Sequence, residues 1–170
     1  KYLDIPIQHC NSKILKLMNR RGDGAFLRQL FAKLRARIPG LVIRTSLITG
    51  LPGEGEEEFQ ELCEFLRALR LERVGAFAFS PEEGTVAATM EYPPTEVAQQ
   101  RAERLAEIQS RIMDEYNASM IGKTMDVLVD GFDDELEQFF GAFFNRDAFC
   151  LNDFSETNPA GCHYFCVRPF

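Results

Sequence analysis

The chain has 170 residues, 45% of them hydrophobic and 26% charged, with a formal net charge of -7. That length supports one domain with a sizeable core, or one domain and a small appendage. The acidic balance argues against broad electrostatic attraction to nucleic acid and suits a basic protein partner, and no apolar run approaches the roughly 20 residues of a membrane-spanning helix.

No signal-peptide pattern opens the chain. Lys1 leads straight into a strand without a methionine, so the sequence reads as a piece of something longer. Its five cysteines, Cys10, Cys63, Cys150, Cys162 and Cys166, are odd in number and scattered. They do not read as a disulfide framework, which points to a reducing cytoplasm. Cys162 and Cys166, with Cys150 nearby, fall short of the four ligands a structural metal site wants.

Residues 3 to 9 read as a strand ending at Gln8 and His9, with Pro6 marking an edge or a bulge. Asn11 or Ser12 caps a short helix over 13–20, which Gly22 stops. Asp23 opens a longer helix whose Phe26, Leu27, Leu30, Phe31, Leu34 and Ile38 recur at helical spacing, and Pro39-Gly40 ends it.

Leu41 to Leu47 is the second strand. Its alternation sets Val42, Arg44 and Ser46 on one face and Ile43, Thr45 and Leu47 on the other. Two polar side chains on one face suit a barrel lumen that holds a polar ligand. Glu56 to Arg70 is a helix, acidic at its start and basic at its end as the helix dipole favours. Phe59, Leu62, Cys63, Leu66 and Leu69 are its buried stripe.

Val74 to Phe79 is the third strand. Ser80 to Pro94, rich in proline, is a long surface loop. Thr95 caps a long helix with Leu105, Ile108, Ile112 and Tyr116 on one stripe and Gly122 past its end. Thr124 to Val129 begins a small β unit. The β-α-β-α-β-α order implies right-handed crossovers and a parallel sheet. After Phe140, phenylalanines crowd the chain with neither helical nor alternating period, and no regular element is expected there.

The joint at Gly50-Leu51-Pro52-Gly53-Glu54 is the most informative segment. In barrels and doubly wound sheets, ligands bind at such joints, at the carboxyl ends of strands. It lacks the Lys-Ser/Thr of a phosphate-binding loop and the spacing of a dinucleotide fingerprint. On chemistry alone it also reads as a tight turn into a helix. Gln8 offers donors and acceptors to a ribose or an amino-acid group. His9 suits either acid–base work or a structural role. Glu54, Glu56, Glu57 and Glu58 read as a solvated helix start.

Four segments resemble one family. Asp4-Ile5-Pro6-Ile7-Gln8-His9, Ile14-Leu15-Lys16-Leu17-Met18-Asn19-Arg20, Arg44 to Glu54, and Phe79-Ser80-Pro81-Glu82-Glu83-Gly84-Thr85 follow the order and spacing of the radical S-adenosylmethionine methylthiotransferases. The likeness runs from Lys1 to about Asp133. It leans to the RimO branch, which methylthiolates an aspartate of a small-subunit ribosomal protein. The sister branch modifies adenosine in tRNA and tends to Gln-Ser-Gly where this chain has Gln8-His9-Cys10. A non-catalytic half-barrel binding module is the alternative from another class.

The resemblance implies an α/β fold: the second half of an incomplete (β/α) radical SAM barrel over 1–121, then the start of a small β, TRAM-like domain over 122–140. It implies S-adenosylmethionine and [4Fe-4S] clusters as cofactors of a longer parent. The radical cluster of that family is held by Cys-x-x-x-Cys-x-x-Cys, which this sequence lacks, so the ligands would lie upstream and this piece alone would be inactive. Gln8 would lie near the ribose and methionine. Arg44 and Ser46 would line the inner face. Ile48, Gly50 and Pro52 would face the adenine, with Phe79 at the same side. Implied partners are the ribosomal protein as substrate, with the ribosome or a sulfur donor; no membrane is implied, and catalytic residues stay unassigned. Residues 141–170 depart from the family pattern. They read as an aberrant, poorly ordered tail from a frame change or a chimeric end.

Overall fold

The computed structural model describes residues 1–121 throughout and, beyond them, only the backbone of five strands. The chain divides into two compact units, Lys1–Met113 and Asp114–Phe170. In the first, β1 (Tyr2–Asp4), β2 (Val42–Thr49) and β3 (Arg73–Ala78) form a parallel sheet in the order β1-β2-β3. Helices α1 (Ser12–Leu17) and α2 (Gly24–Arg37) connect β1 to β2, α3 (Glu56–Leu69) connects β2 to β3, and α4 (Thr95–Met120) follows a turn of 3-10 helix at Ala87–Thr89. This is the α/β order the sequence predicts. Among the described residues no helix is long and apolar enough to cross a membrane.

The first strand is shorter than expected. Pairing stops after Asp4 and resumes only at Gln8, in an isolated parallel bridge to Leu47. Pro6 is the cause, because it has no N–H to give a ladder. Thr45 of β2 spans the gap. Its hydroxyl donates to the Ile5 carbonyl at 2.7 Å and accepts the Ile7 N–H at 3.2 Å. The Thr45 side chain is fully buried, so these two bonds stand in for the missing ladder bonds there.

Strand β2 alternates along its whole length: Ile43, Thr45, Leu47 and Thr49 are buried, while Val42, Arg44, Ser46 and Ile48 are half-buried. The buried face packs in one cluster with Leu27 and Phe31 of α2, Phe59, Leu62, Phe65 and Leu66 of α3, and Leu105, Ile108 and Ile112 of α4. Each such side chain contributes about 1.5–3 kcal/mol by leaving water. Phe26 falls outside this cluster; it lies 53% exposed and folds back over Gly22. Cys10 and Cys63 are free thiols inside the core.

The far end of the sheet is closed by polar bonds. Glu72 accepts the Ile43 N–H at 2.9 Å and Arg35 Nη2 at 2.8 Å. Arg35 also donates to the carbonyls of Leu69 and Arg70, which answers backbone acceptors left open at the end of α3. Gln109 of α4 donates to the carbonyls of Leu71 and Glu72, both at 3.1 Å.

In the second unit, β4 (Thr124–Asp133), β5 (Gln138–Ala142), β6 (Ala148–Leu151), β7 (Phe154–Thr157) and β8 (His163–Cys166) form an antiparallel sheet in the order β6-β5-β4-β8-β7. Three of these strands lie beyond Gly141, where the sequence offers no period to read. A four-residue strand shows two side chains to each face, too few for alternation to stand out. Cys150, Cys162 and Cys166, considered above as metal ligands, lie outside the residues whose side chains are described.

Thr45→Val keeps the shape and removes both bonds around Pro6. The expected loss is about 1–3 kcal/mol in urea unfolding followed by circular dichroism. A loss no larger than that of Val42→Thr on the opposite face would show that the hydroxyl does not carry the bend.

Candidate functional site

The parallel register lays out the open face of the sheet in rows. Asp4, Arg44 and Arg73 stand opposite one another, then Ser46 and Gly75, then Ile48 and Phe77. The face therefore grades from charged through small and polar to apolar toward the carboxyl ends of the strands. Arg44 Nη1 pairs with Asp4 Oδ2 across β1 and β2. Both side chains are about a third exposed, so this pair adds little stability.

At the carboxyl end a cavity of about 390 Å³ opens. Ile48, Leu51, Pro52, Phe77 and Phe79 line it from the sheet and the turn after β2. Leu17 of α1, Met18 just past its end, and Val86 and Met90 of the segment between β3 and α4 close its sides. Phe77 and Val86 are 53% and 78% exposed, large values for apolar side chains of this size. Phe79 is steadied by the Tyr92 ring, edge-on with centroids 5.5 Å apart.

Gln8 sits beside this cavity wall. Its N–H donates to the Ser46 carbonyl at 2.9 Å and its carbonyl accepts the Ile48 N–H at 2.8 Å. Its backbone is left-handed, with φ 69°, which costs a side-chain-bearing residue energy. Its Oε1 is buried and finds no donor among the described residues. A strained corner with an unanswered acceptor is the profile of a ligand contact.

The turn after β2 is set by Gly50. Its φ of +75° is left-handed, and a Cβ there would overlap the Cβ of Ala98 on α4. The glycine thus serves a backbone approach between turn and helix. Thr49 fastens the same junction, its hydroxyl donating to the Ala98 carbonyl at 2.8 Å. Glu54 closes the turn. Its carboxylate has no solvent exposure, accepts the Gly50 N–H at 3.0 Å and pairs with Arg101 of α4 at 2.8 Å.

Comparison with known proteins adds to this geometry. The radical SAM superfamily profile matches residues 1–66. The ribosomal protein uS12 methylthiotransferase RimO of Anaeromyxobacter sp. strain Fw109-5 is 49% identical over 138 residues, 81% of this chain and 29% of that protein. The protein of the same name from Pelobacter propionicus is 45% identical over 149 residues, 87% of this chain and 33% of that protein. Among solved structures, the radical SAM enzyme coproporphyrinogen III oxidase (HemN) of Escherichia coli matches with a TM-score of 0.54. It covers 65% of this chain and 26% of that one at 20% identity, a likeness of fold.

Over most of its length the chain is similar to the radical SAM methylthiotransferases. It spans about three tenths of the length of the relatives it matches.

Of the residues singled out from sequence, Ile48, Pro52 and Phe79 line one cavity. Gln8 joins Ile48 through the backbone, and Ser46 supplies the carbonyl that holds Gln8. Arg44 stands two rows away, on the same face but outside the lining. Gly50 is also outside the lining, and its open side faces α4. Glu54 overturns the reading of a solvated acidic run: Glu56 and Glu57 are exposed, but Glu54 is buried.

Sequence reasoning missed Leu17, Met18, Phe77 and Arg101. Arg101 had left a signal in the sequence. It occupies the apolar stripe of α4 with Ala98, Leu105, Ile108 and Ile112, where an arginine needs a buried partner.

Gly50→Ala is expected to cost about 2–5 kcal/mol, from left-handed strain and overpacking together. Adding Ala98→Gly should return the overpacking share. Chemical denaturation of the single and double variants checks this, and equal losses in both would show that the contact with α4 is not what demands glycine.

Proposed function

We propose that this chain contributes the S-adenosylmethionine-holding half of a radical SAM methylthiotransferase barrel, and that the whole enzyme methylthiolates an aspartate of the small-subunit ribosomal protein uS12. The observation that carries the cofactor reading is the graded open face ending in an apolar cavity. Rows two residues apart along a strand are about 7 Å apart. Three such rows match an extended adenosyl amino acid: a charged end, a ribose and a flat base. Ile48, Pro52 and Phe79 would hold the adenine, Gln8 the ribose and methionine through its unanswered Oε1, and Ser46 and Arg44 the amino-acid end.

The residues present fit that ligand by chemistry. The cavity is apolar where the base would lie, and the orphaned acceptor of Gln8 suits a hydroxyl or an ammonium. They do not fit an iron–sulfur cluster. Cys10 and Cys63 are buried in the core, where burial pushes their thiols up, that of Cys10 to about 12. A cluster needs thiolates. Among the described residues, no three histidine, cysteine or carboxylate side chains gather as metal ligands. The described residues therefore give such a cluster no ligands.

When bound, the cofactor supplies the radical chemistry. The residues of this chain bind and orient it and keep water from its base. The substrate reading is supported by relatives that carry the uS12 methylthiotransferase name at 44–49% identity, and by the acidic balance of the chain, which suits a basic partner. Residues 122–140 are proposed as the start of a TRAM-like β domain, a reading supported by the antiparallel pairing of β4 and β5.

Saturation-transfer NMR of the full chain with S-adenosylhomocysteine is expected to mark the adenine protons most strongly. Phe79→Ala and Ile48→Asp should each weaken binding about tenfold, the loss of one good apolar contact. Absence of transfer, or transfer that neither variant alters, would remove the cofactor reading. For the substrate, peptide mass spectrometry of uS12 from cells lacking the encoding gene should show the loss of one methylthio substitution at an aspartate; an unchanged uS12 would overturn it.

A further inference from the structure

Three buried polar side chains meet behind the cavity wall. Glu54 Oε1 takes the Gly50 N–H and Arg101 Nη1. Its other oxygen, Oε2, lies 3.4 Å from His9 Nε2, and among the described residues neither atom makes a hydrogen bond. Both side chains are wholly shielded from solvent. The imidazole is oriented from its other side, where Nδ1 accepts the Asn11 N–H at 3.0 Å. That bond makes Nδ1 an acceptor and sets the other ring nitrogen, Nε2, beside the carboxylate at 3.4 Å, in contact with it but not hydrogen-bonded to it.

Arg101 is held with equal care. Nη1 also donates to the Glu54 carbonyl at 3.2 Å, Nη2 reaches Glu56 at 3.4 Å, and the guanidinium lies over the Phe59 ring at 5.1 Å. Three separate segments thus converge on one carboxylate. His9 follows the strained Gln8 corner, Gly50 opens the turn that carries Leu51 and Pro52, and Arg101 belongs to α4. The Glu54–Arg101 salt bridge forms without the histidine, whose Nε2 is buried against Oε2 and has no hydrogen-bond partner among the described residues.

We propose that His9 and Arg101 are positioning residues for ligand binding. Acting through Glu54, they clamp the Gly50–Glu54 turn against the Gln8 corner, so that the wall at Leu51 and Pro52 and the acceptor at Gln8 keep a fixed spacing. This rests on the cofactor reading above for the identity of the ligand. The clamp itself is a property of the ligand-free chain. A preorganised wall binds more tightly because less ordering remains to be done on binding.

The test compares His9→Phe, which fills the space without a polar group, with His9→Gln, whose amide keeps a polar contact with Glu54. Two readouts on the full chain separate the claims: hydrogen exchange of the Gly50 amide without ligand, and affinity for S-adenosylhomocysteine. His9→Phe, which removes the polar contact with the buried carboxylate, should speed Gly50 exchange and weaken binding about tenfold. His9→Gln should recover most of both.

If His9→Phe fails to fold, Arg101→Met against Arg101→Lys makes the same comparison, with Lys expected to retain the slower exchange. Equal losses of melting temperature in the paired variants, with Gly50 exchange and affinity unmoved, would reduce the cluster to packing and overturn the proposal. Should the parent chain bind no S-adenosylhomocysteine, the cofactor reading fails by itself. The Gly50 exchange then decides whether the clamp exists.

Discussion

Glu54 is an ionisable side chain shielded from solvent, and the architecture near the cavity follows from answering it. A buried carboxylate is tolerated only when donors surround it. Here the donors come from the turn itself, through the Gly50 N–H, and from a helix that begins more than forty residues later, through Arg101. The salt bridge therefore specifies where α4 crosses the sheet. The close approach of Gly50 to Ala98 and the bond from Thr49 to the Ala98 carbonyl fall within the same junction. Loss of the arginine alone would leave an unanswered charge in the core, a change more damaging than removing both partners.

The other face of the sheet has a different logic. Its buried side is apolar apart from Thr45 and Thr49, and each of those hydroxyls meets a specific backbone group. Its open side carries the residues that chemistry needs, set in rows by the parallel register. One strand, β2, does both tasks because successive side chains point to opposite faces. A shift of one residue in its pairing would exchange Ile43 and Leu47 for Arg44 and Ser46 in the core, which explains why the register has little freedom. Pro6 adds to this. It breaks the ladder after β1, and the resulting corner gives Gln8 its left-handed backbone and its buried, unanswered oxygen.

Much of this was legible in the residues. The alternation of Val42 to Leu47, the stripes of α3 and α4, the caps at Asn11 and Asp23, and the glycine turn after β2 are local patterns. Each obeys a period or a short-range bond that reading along the chain can detect. The cavity wall was half legible. Ile48, Pro52 and Phe79 sit at the ends of strands, where ligands bind. Leu17, Met18, Val86 and Met90 come from other segments, and nothing in their own surroundings says that they share a cavity with them.

The sequence by itself determined the order of elements, the two faces of β2 and the kinship with the radical SAM methylthiotransferases, because all three are written in spacing along one line. Only the tertiary structure decided the burial of Glu54, its pairing with Arg101 and the convergence of His9 on it. The sequence showed a run of acidic residues, and charge runs are usually solvated. Which member of the run turns inward depends on a helix packed from far along the chain. The same holds for Gly50: its need for glycine was visible, but whether a ligand or a helix imposed that need was settled by the position of Ala98.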